Sequence, residues 1–238
     1  MARKRAAAKE LLFEIPQMDY RFKVTRKYKL TVKQQEILGC ILGDDSKIII
    51  INGPAGTSKT YIAVYAALQQ VLSDSVKSIL YIRSATESCT RGLGHLPGDV
   101  SEKFSPYLEP WIDKLSEFLT KDVIKMLGDD GVINAKPINY LRGADWKDKI
   151  VIVDEAQNVT KEELVTVMTR MGEGTKLILC GDSMQSDIKS TGFIEIKRAF
   201  DDNESKKMGV YAFEFDENDV VRSKIVKFII KKLKNLHK

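Results

Sequence analysis

The stretch GPAGTSKT, Gly53 to Thr60, puts a lysine and a hydroxyl directly after a glycine-rich turn. Successive backbone N–H groups of such a turn can wrap a phosphate, Lys59 can set a point charge on the β/γ-phosphates, and Thr60 can offer its hydroxyl to Mg²⁺. The pattern G-x-x-x-x-G-K-[ST] is broken at one position, where Ser58 replaces the second glycine. Asn52 and Pro54 shape the entry to this loop, and Ala55, Gly56 and Thr57 complete the cradle. If the backbone at Ser58 must be left-handed, its Cβ costs roughly 1–2 kcal/mol. Binding of ATP is expected to survive that cost. A glycine turn with an accidental Lys-Thr is the competing explanation, and the strand and helix patterns on either side weigh against it.

A second group of chemistry-bearing residues ends the run IVIVDEAQ. Asp154 suits a Walker-B role, holding Mg²⁺ through its water shell, and Glu155 beside it can polarise an attacking water. Two adjacent carboxylates at a buried strand end repel unless a cation lies between them. A small-molecule kinase needs no such glutamate, because its acceptor brings a hydroxyl, so the pair favours hydrolysis. In LILCGDSMQSD, Gln185 is a candidate sensor able to touch both the γ-phosphate and the lytic water. Upstream, Gln34 in LTVKQQEIL is a candidate reader of an adenine edge.

These residues need elements that bring them together. KIIIINGPAG, IVIVDEAQ and LILCGDSMQ are short β-branched apolar runs, the pattern of buried parallel strands, each ending in polar residues. SILYIRS and GVYAFEF add strands, and NAKPINYLRG, with its proline, reads as an edge strand. Helical patterns lie between them: YIAVYAALQQVL, DVSEKFSPYLEPWIDKLSEFL, and KEELVTVMTRM behind a Thr160 cap with Glu163 three residues on. The alternation predicts an α/β doubly wound, mostly parallel sheet flanked by helices, with ligands at the carboxyl ends of the strands. The 238 residues, 43% hydrophobic, suit a basic extension over 1–20 and one domain over 21–238, closing in a helix over about 217–236. In the last segment Lys224, Lys227, Lys231, Lys234 and Lys238 recur, on a helix opposite Val221, Ile225, Phe228, Ile229, Leu233 and Leu236. The cationic stripe is either a solvated face or a polyanion surface.

Composition excludes several classes. The net charge of +5 is only mildly basic, and Cys40, Cys89 and Cys180 are an odd set without C-x-x-C spacing, which argues against a disulfide scaffold or a zinc site. No apolar run reaches the roughly 18 residues that span a membrane, and the basic N-terminus lacks a signal-peptide core. A cytoplasmic protein without a membrane partner is expected.

GPAGTSKT, RGLGHLPGDVSEKFSPYLEPWIDKL, YLRG, VIVDEAQNVT, TRMGEGTKLILCGDSMQSD and DVVRSKIV, in this order, resemble the PhoH-like ATPase family over roughly residues 30 to 230. GHLPGDVSEKFSPYLEPWID is the most specific part of the likeness. Ser58 stands in place of the family's loop glycine, and RSATESCT is looser than the usual RPAVEAGE. The resemblance implies a P-loop NTPase fold similar to the first RecA-like half of superfamily 1 helicases, with ATP hydrolysis, RNA binding and, in some members, RNA unwinding. The resemblance leads to the expectation of a stripped-down form without an added RNA-binding or nuclease domain, similar to those borne by bacteriophages.

Helicases of that type close two lobes over one ATP, the second lobe delivering an arginine. With one lobe, the resemblance implies a homo-oligomeric ring, a hexamer, in which a neighbouring copy donates the charge. Arg222 and Arg170 are the candidates for it, each alternatively an ordinary surface or salt-bridged arginine. Single-stranded RNA, or DNA, would cross the strand-end face at Arg83, Arg91 and His95. Phe104, Tyr107 and Trp111 at helical spacing read as packing before base stacking, and Trp146 is open to both. The leading expectation is a Mg-dependent ATPase coupled to nucleic acid; the alternatives are an ATP-gated assembly module with little hydrolysis because of Ser58, and a small-molecule phosphotransferase.

Overall fold

A computed structural model of the protein describes residues 30–73, 75–84, 109–138, 141, 146–188 and 191–233. The apolar runs form six strands: β1 Ile48–Asn52, β2 Ser78–Arg83, β3 Ile133–Pro137, β4 Lys149–Asp154, β5 Lys176–Gly181 and β6 Val210–Glu214. They make one parallel sheet in the order β3-β2-β4-β5-β1-β6. Ile49, Ile50 and Ile51 are fully buried in sequence, as a strand covered on both faces requires. The proline-bearing β3 lies at one edge, with Pro137 as its last residue, where a missing N–H costs no ladder bond.

Helices cover both faces. α1 (Val32–Leu42) precedes β1, α2 (Lys59–Leu72) links β1 to β2, and α3 (Lys121–Asp129) leads into β3. α4 (Lys161–Met168), α5 (Phe193–Ala199) and α6 (Asn203–Lys207) follow, and α7 (Lys224–Leu233) closes the described chain. Residues 109–116 are also helical, so the described part of the middle segment takes the expected form. The Thr160 cap is a full capping box: its hydroxyl accepts from the Glu163 amide while Glu163 accepts from the Thr160 amide. Thr31 and Gln34 do the same for α1.

One apolar core lies between α1, α2, residues 109–119 and one face of the sheet; a second, holding Trp146 and Phe193, lies on the other face. Each fully buried isoleucine or leucine contributes about 1.5–3 kcal/mol.

The C-terminal helix starts at Lys224, not near 217. Asp216 and Asp219 cap each other across a 3₁₀ turn over Glu217–Asp219, which ends the local coil, and Val221 then donates its amide to the Gly56 carbonyl at 3.0 Å. On α7, Lys227 and Lys231 are exposed, and so are Ile225 (61%), Phe228 (56%) and Ile229 (46%), so among the described residues the apolar side is uncovered too.

Candidate functional site

Parallel strands all end on the same side, and the order β2-β4-β5-β1 lines up four polar tips there. Register fixes the alignment: Asn52 pairs with Gly181 and Arg83 with Asp154. A cavity of about 590 Å³ opens over these tips, within the range that holds small-molecule ligands. Ala55, Gly56, Ser58, Lys59 and Thr60 form one wall, and Asp154, Glu155, Asp182 and Gln185 face them.

The loop between β1 and α2 is tightly built. Gly53 takes φ 157°, and a Cβ there would come within 2.5 Å of the Phe215 Cβ. Gly56 takes φ 86°, left-handed backbone that favours glycine. Ser58 takes the same region, φ 65° and ψ 26°, and its side chain caps none of the first α2 amides. The helix N-terminus therefore lacks the side-chain cap that Thr31 and Thr160 give to α1 and α4, and a helix N-terminus is where phosphate groups bind. Lys59 Nζ donates to the Gly53 and Pro54 carbonyls at 2.7 and 3.2 Å, and the Thr57 hydroxyl donates to the Pro54 carbonyl at 2.9 Å.

Thr60 Oγ1 donates to Asp154 Oδ1 at 2.8 Å, so the hydroxyl at the start of α2 and the carboxylate ending β4 are one unit. These two oxygens match the ligand type for Mg²⁺, a hard cation that is held by one or two carboxylates, waters and substrate phosphates. Among the described residues no cluster of three or more acidic, histidine or cysteine side chains is placed to hold a metal ion. Tyr81 donates to Asp154 Oδ2 at 2.7 Å, and burial, then Asp154, pushes its phenol well above the ordinary range.

Glu155 stands in the left-handed region at φ 52°, a conformation that costs a non-glycine residue about 1–3 kcal/mol and tends to occur at functional sites. Its Oε2 accepts from Gln157 at 2.7 Å, and its Oε1 lies 4.0 Å from Arg83. Gln157 also accepts the Asp182 amide at 2.9 Å and so joins the β4 and β5 tips. Asp182 Oδ1 accepts from the Met184 amide at 3.0 Å; burial pushes its carboxyl up, against the pull of that amide and of Lys59. Asn52 binds Ser183 through both ends of its amide and donates to Glu214, tying the β1, β5 and β6 tips.

The structure gathers Lys59, Thr60, Asp154, Glu155, Gln185, Arg83 and Arg222 around the cavity. One expectation changes, and the two candidate arginines take definite places. Gln34 is 1% exposed, donates to the Thr57 carbonyl at 3.0 Å and accepts the Thr31 amide at 2.9 Å, so its amide holds the phosphate loop from behind and presents no edge to a base. Arg222 lines the cavity of its own copy, its side-chain carbons 3.0 Å from where a Gly56 Cβ would be. Arg170 lies at the opposite end of the sheet, where its carbonyl accepts from the Trp146 amide ahead of β4. Trp111 and Trp146 are 3% and 1% exposed and pack in the two cores. Arg91, His95, Phe104 and Tyr107 lie outside the described residues. Tyr81 and Asp182 carry no signal of this kind in the sequence; Gln157 carries one, an amide two residues beyond Glu155 in the same motif.

A sheet tip carrying a glycine-rich loop, a lysine and a hydroxyl opposite an acidic neighbouring strand defines a P-loop nucleotide-binding domain of the RecA-like kind. A family profile described as PhoH-like protein matches residues 28–234. The chain is 36% identical over 203 residues to a PhoH-like protein of Bacillus subtilis, covering 84% of this chain and 61% of that one. It is 31% identical over 185 residues to Protein PhoH of Escherichia coli, covering 76% and 51%. The chain belongs to the PhoH-like family, and it spans less than two thirds of the length of these relatives. The Sulfolobus solfataricus SWI2/SNF2 ATPase core, solved in complex with dsDNA, shares the fold at TM-score 0.50 and 16% identity, covering 86% of this chain and 49% of that one.

Proposed function

We propose that the protein is a Mg-dependent ATP hydrolase coupled to single-stranded nucleic acid, RNA in the first place, working as a helicase-like or remodelling motor. The observation that carries this reading is the Thr60–Asp154 contact with Glu155 as the next residue on the same cavity wall. Bound Mg²⁺ would neutralise charge developing on the phosphates. Lys59, released from the Gly53 and Pro54 carbonyls, would bind the β/γ-phosphates, and Glu155 would take a proton from the attacking water while Gln157 fixes its carboxylate. Gln185 would orient that water, and Arg222 would stabilise the charge of the transition state from within the same copy.

The nucleic-acid partner rests on family membership and on cations at the cavity rim, Arg83 and Lys114. If the chain forms a homo-oligomeric ring, a hexamer in this reading, Arg170 would be a candidate to act across a contact between copies. Phosphate release with and without single-stranded RNA tests the whole reading: the parent hydrolyses ATP and is stimulated, while Lys59→Ala and Glu155→Gln lose turnover. Unstimulated release with water as acceptor would remove the nucleic-acid coupling, and release that needs a metabolite hydroxyl would make the protein a phosphotransferase.

One observation favours a second reading, an ATP-gated assembly module. Ser58 holds a strained left-handed conformation at the start of α2, next to Lys59. Tight ATP binding without turnover, unrescued by RNA, selects that reading.

A further inference from the structure

We infer that Tyr81 is a positioning residue for the metal-holding carboxylate and that Trp111 keeps Tyr81 in place; the inference rests on the hydrolase reading of the same site. Asp154 receives one hydroxyl on each oxygen, Thr60 on Oδ1 at 2.8 Å and Tyr81 on Oδ2 at 2.7 Å. Two donors on a short side chain that is 8% exposed fix its rotation, so the carboxylate meets a cation already oriented.

The two donors differ in what anchors them. Thr60 sits at the start of the phosphate-binding helix and must share its hydroxyl with the metal. Tyr81 is held by core packing: its ring stacks on Trp111 with centroids 4.7 Å apart and planes 14° apart, and its exposure is 1%. Stacked aromatic pairs in a packed core hold their rotamers, because any tilt opens a void. Trp111 belongs to the helical residues 109–116, and the same stretch brings Pro110 and Lys114 to the cavity rim. The wall of the cavity and the carboxylate beneath it are therefore joined through two rings and one hydrogen bond. A tyrosine present only to fill space would not need its hydroxyl at this carboxylate.

The test uses the full chain carrying Trp146→Phe, which leaves Trp111 as its single indole, since the sequence has two tryptophans. Mg²⁺ is titrated in the presence of a slowly hydrolysed ATP analogue, with Trp111 emission and calorimetric heat read side by side. The expected result is an emission change that follows the calorimetric midpoint. In Tyr81→Phe, which keeps the ring stack, the half-saturating Mg²⁺ concentration rises roughly 10-fold, the scale of one hydrogen bond to a charged group. Affinity for the analogue in chelator stays within about twofold, because the phosphate loop keeps its own contacts.

A lower melting temperature with an unmoved Mg²⁺ midpoint would make Tyr81 merely structural and overturn the inference. Emission that stays silent while calorimetry reports binding would overturn the part assigned to Trp111. If Tyr81→Phe does not fold, Trp111→Phe is read by calorimetry alone, with a midpoint about threefold higher expected from a loosened phenol and an unchanged one refuting it. A parent that takes up no nucleotide sinks the hydrolase reading and the inference together; a parent that binds, with variants that match it, sinks the inference alone.

Discussion

Replacing Ser58 by glycine is expected to stabilise the fold, which is unusual for a change inside a binding loop. Ser58 has φ 65° and ψ 26°, where a Cβ crowds the following carbonyl and costs roughly 1–2 kcal/mol. Its side chain makes no capping hydrogen bond, so removing it forfeits no such contact. Against the relief stands the freedom that glycine restores to the unfolded chain, about 0.4–1 kcal/mol. The balance is a net gain of about 1 kcal/mol, which for a chain of this size moves Tm by about 2–4 °C. Urea denaturation of parent, Ser58→Gly and Ser58→Ala decides the matter. Alanine keeps the Cβ and should show no gain, while glycine raises the midpoint with the slope unchanged. Equal midpoints for alanine and glycine, or a loss for glycine, would refute the strain argument and move the cost of the departure elsewhere in the loop. Nucleotide affinity should change less than about threefold, since the amides that face the phosphate keep their positions.

Three further outcomes follow from contacts around the cavity. Gln34→Ala removes the donor to a buried carbonyl at Thr57 and one half of the α1 capping box; it should cost about 1–3 kcal/mol in denaturation while leaving the ratio of ATP to GTP affinity unchanged in competition binding. Arg222→Ala should slow hydrolysis roughly 100-fold, and mixing it with Lys59→Ala copies should restore nothing; recovered activity in the mixture would show the arginine acting between copies. Burial raises the Asp182 carboxyl above 3.8, so between that value and the raised one the native state binds more protons than the unfolded state. Stability is then lost as pH rises through that window, with the cost fully present above it, and Asp182→Asn should flatten the slope when midpoints are compared across pH.

The sheet was legible because its signals are local. A run such as IIIIN can only be covered on both faces, and the Thr160 to Glu163 spacing closes a capping box within one turn. Lys59, Thr60, Asp154 and Glu155 were legible for the same reason: each sits within a few residues of a strand end, and strands of a parallel sheet all end together. Gln34 misled because the residue type fixes what an amide can bond but not which partner folding brings to it, and here the partner is the Thr57 carbonyl. The place of Arg222 beside its own phosphate loop was not legible, because the chain returns from β6 across that loop, a contact between Val221 and Gly56 that no periodicity encodes.

Tyr81 shows most clearly where such reading stops. Within β2 it is one more large residue in the strand SILYIR, indistinguishable by pattern from core. Its chemistry depends on register, which pairs Tyr81 with Ile152 and Arg83 with Asp154, so the phenol reaches along the neighbouring strand to the carboxylate ending it. Shift that pairing by one residue and the alternation of the strand sends the ring to the other face of the sheet, away from Trp111 and from Asp154 alike. The position of the acidic strand tip is thus set twice, by hydroxyls it attracts and by the packing that aims them. Only the first of these can be inferred from residue types.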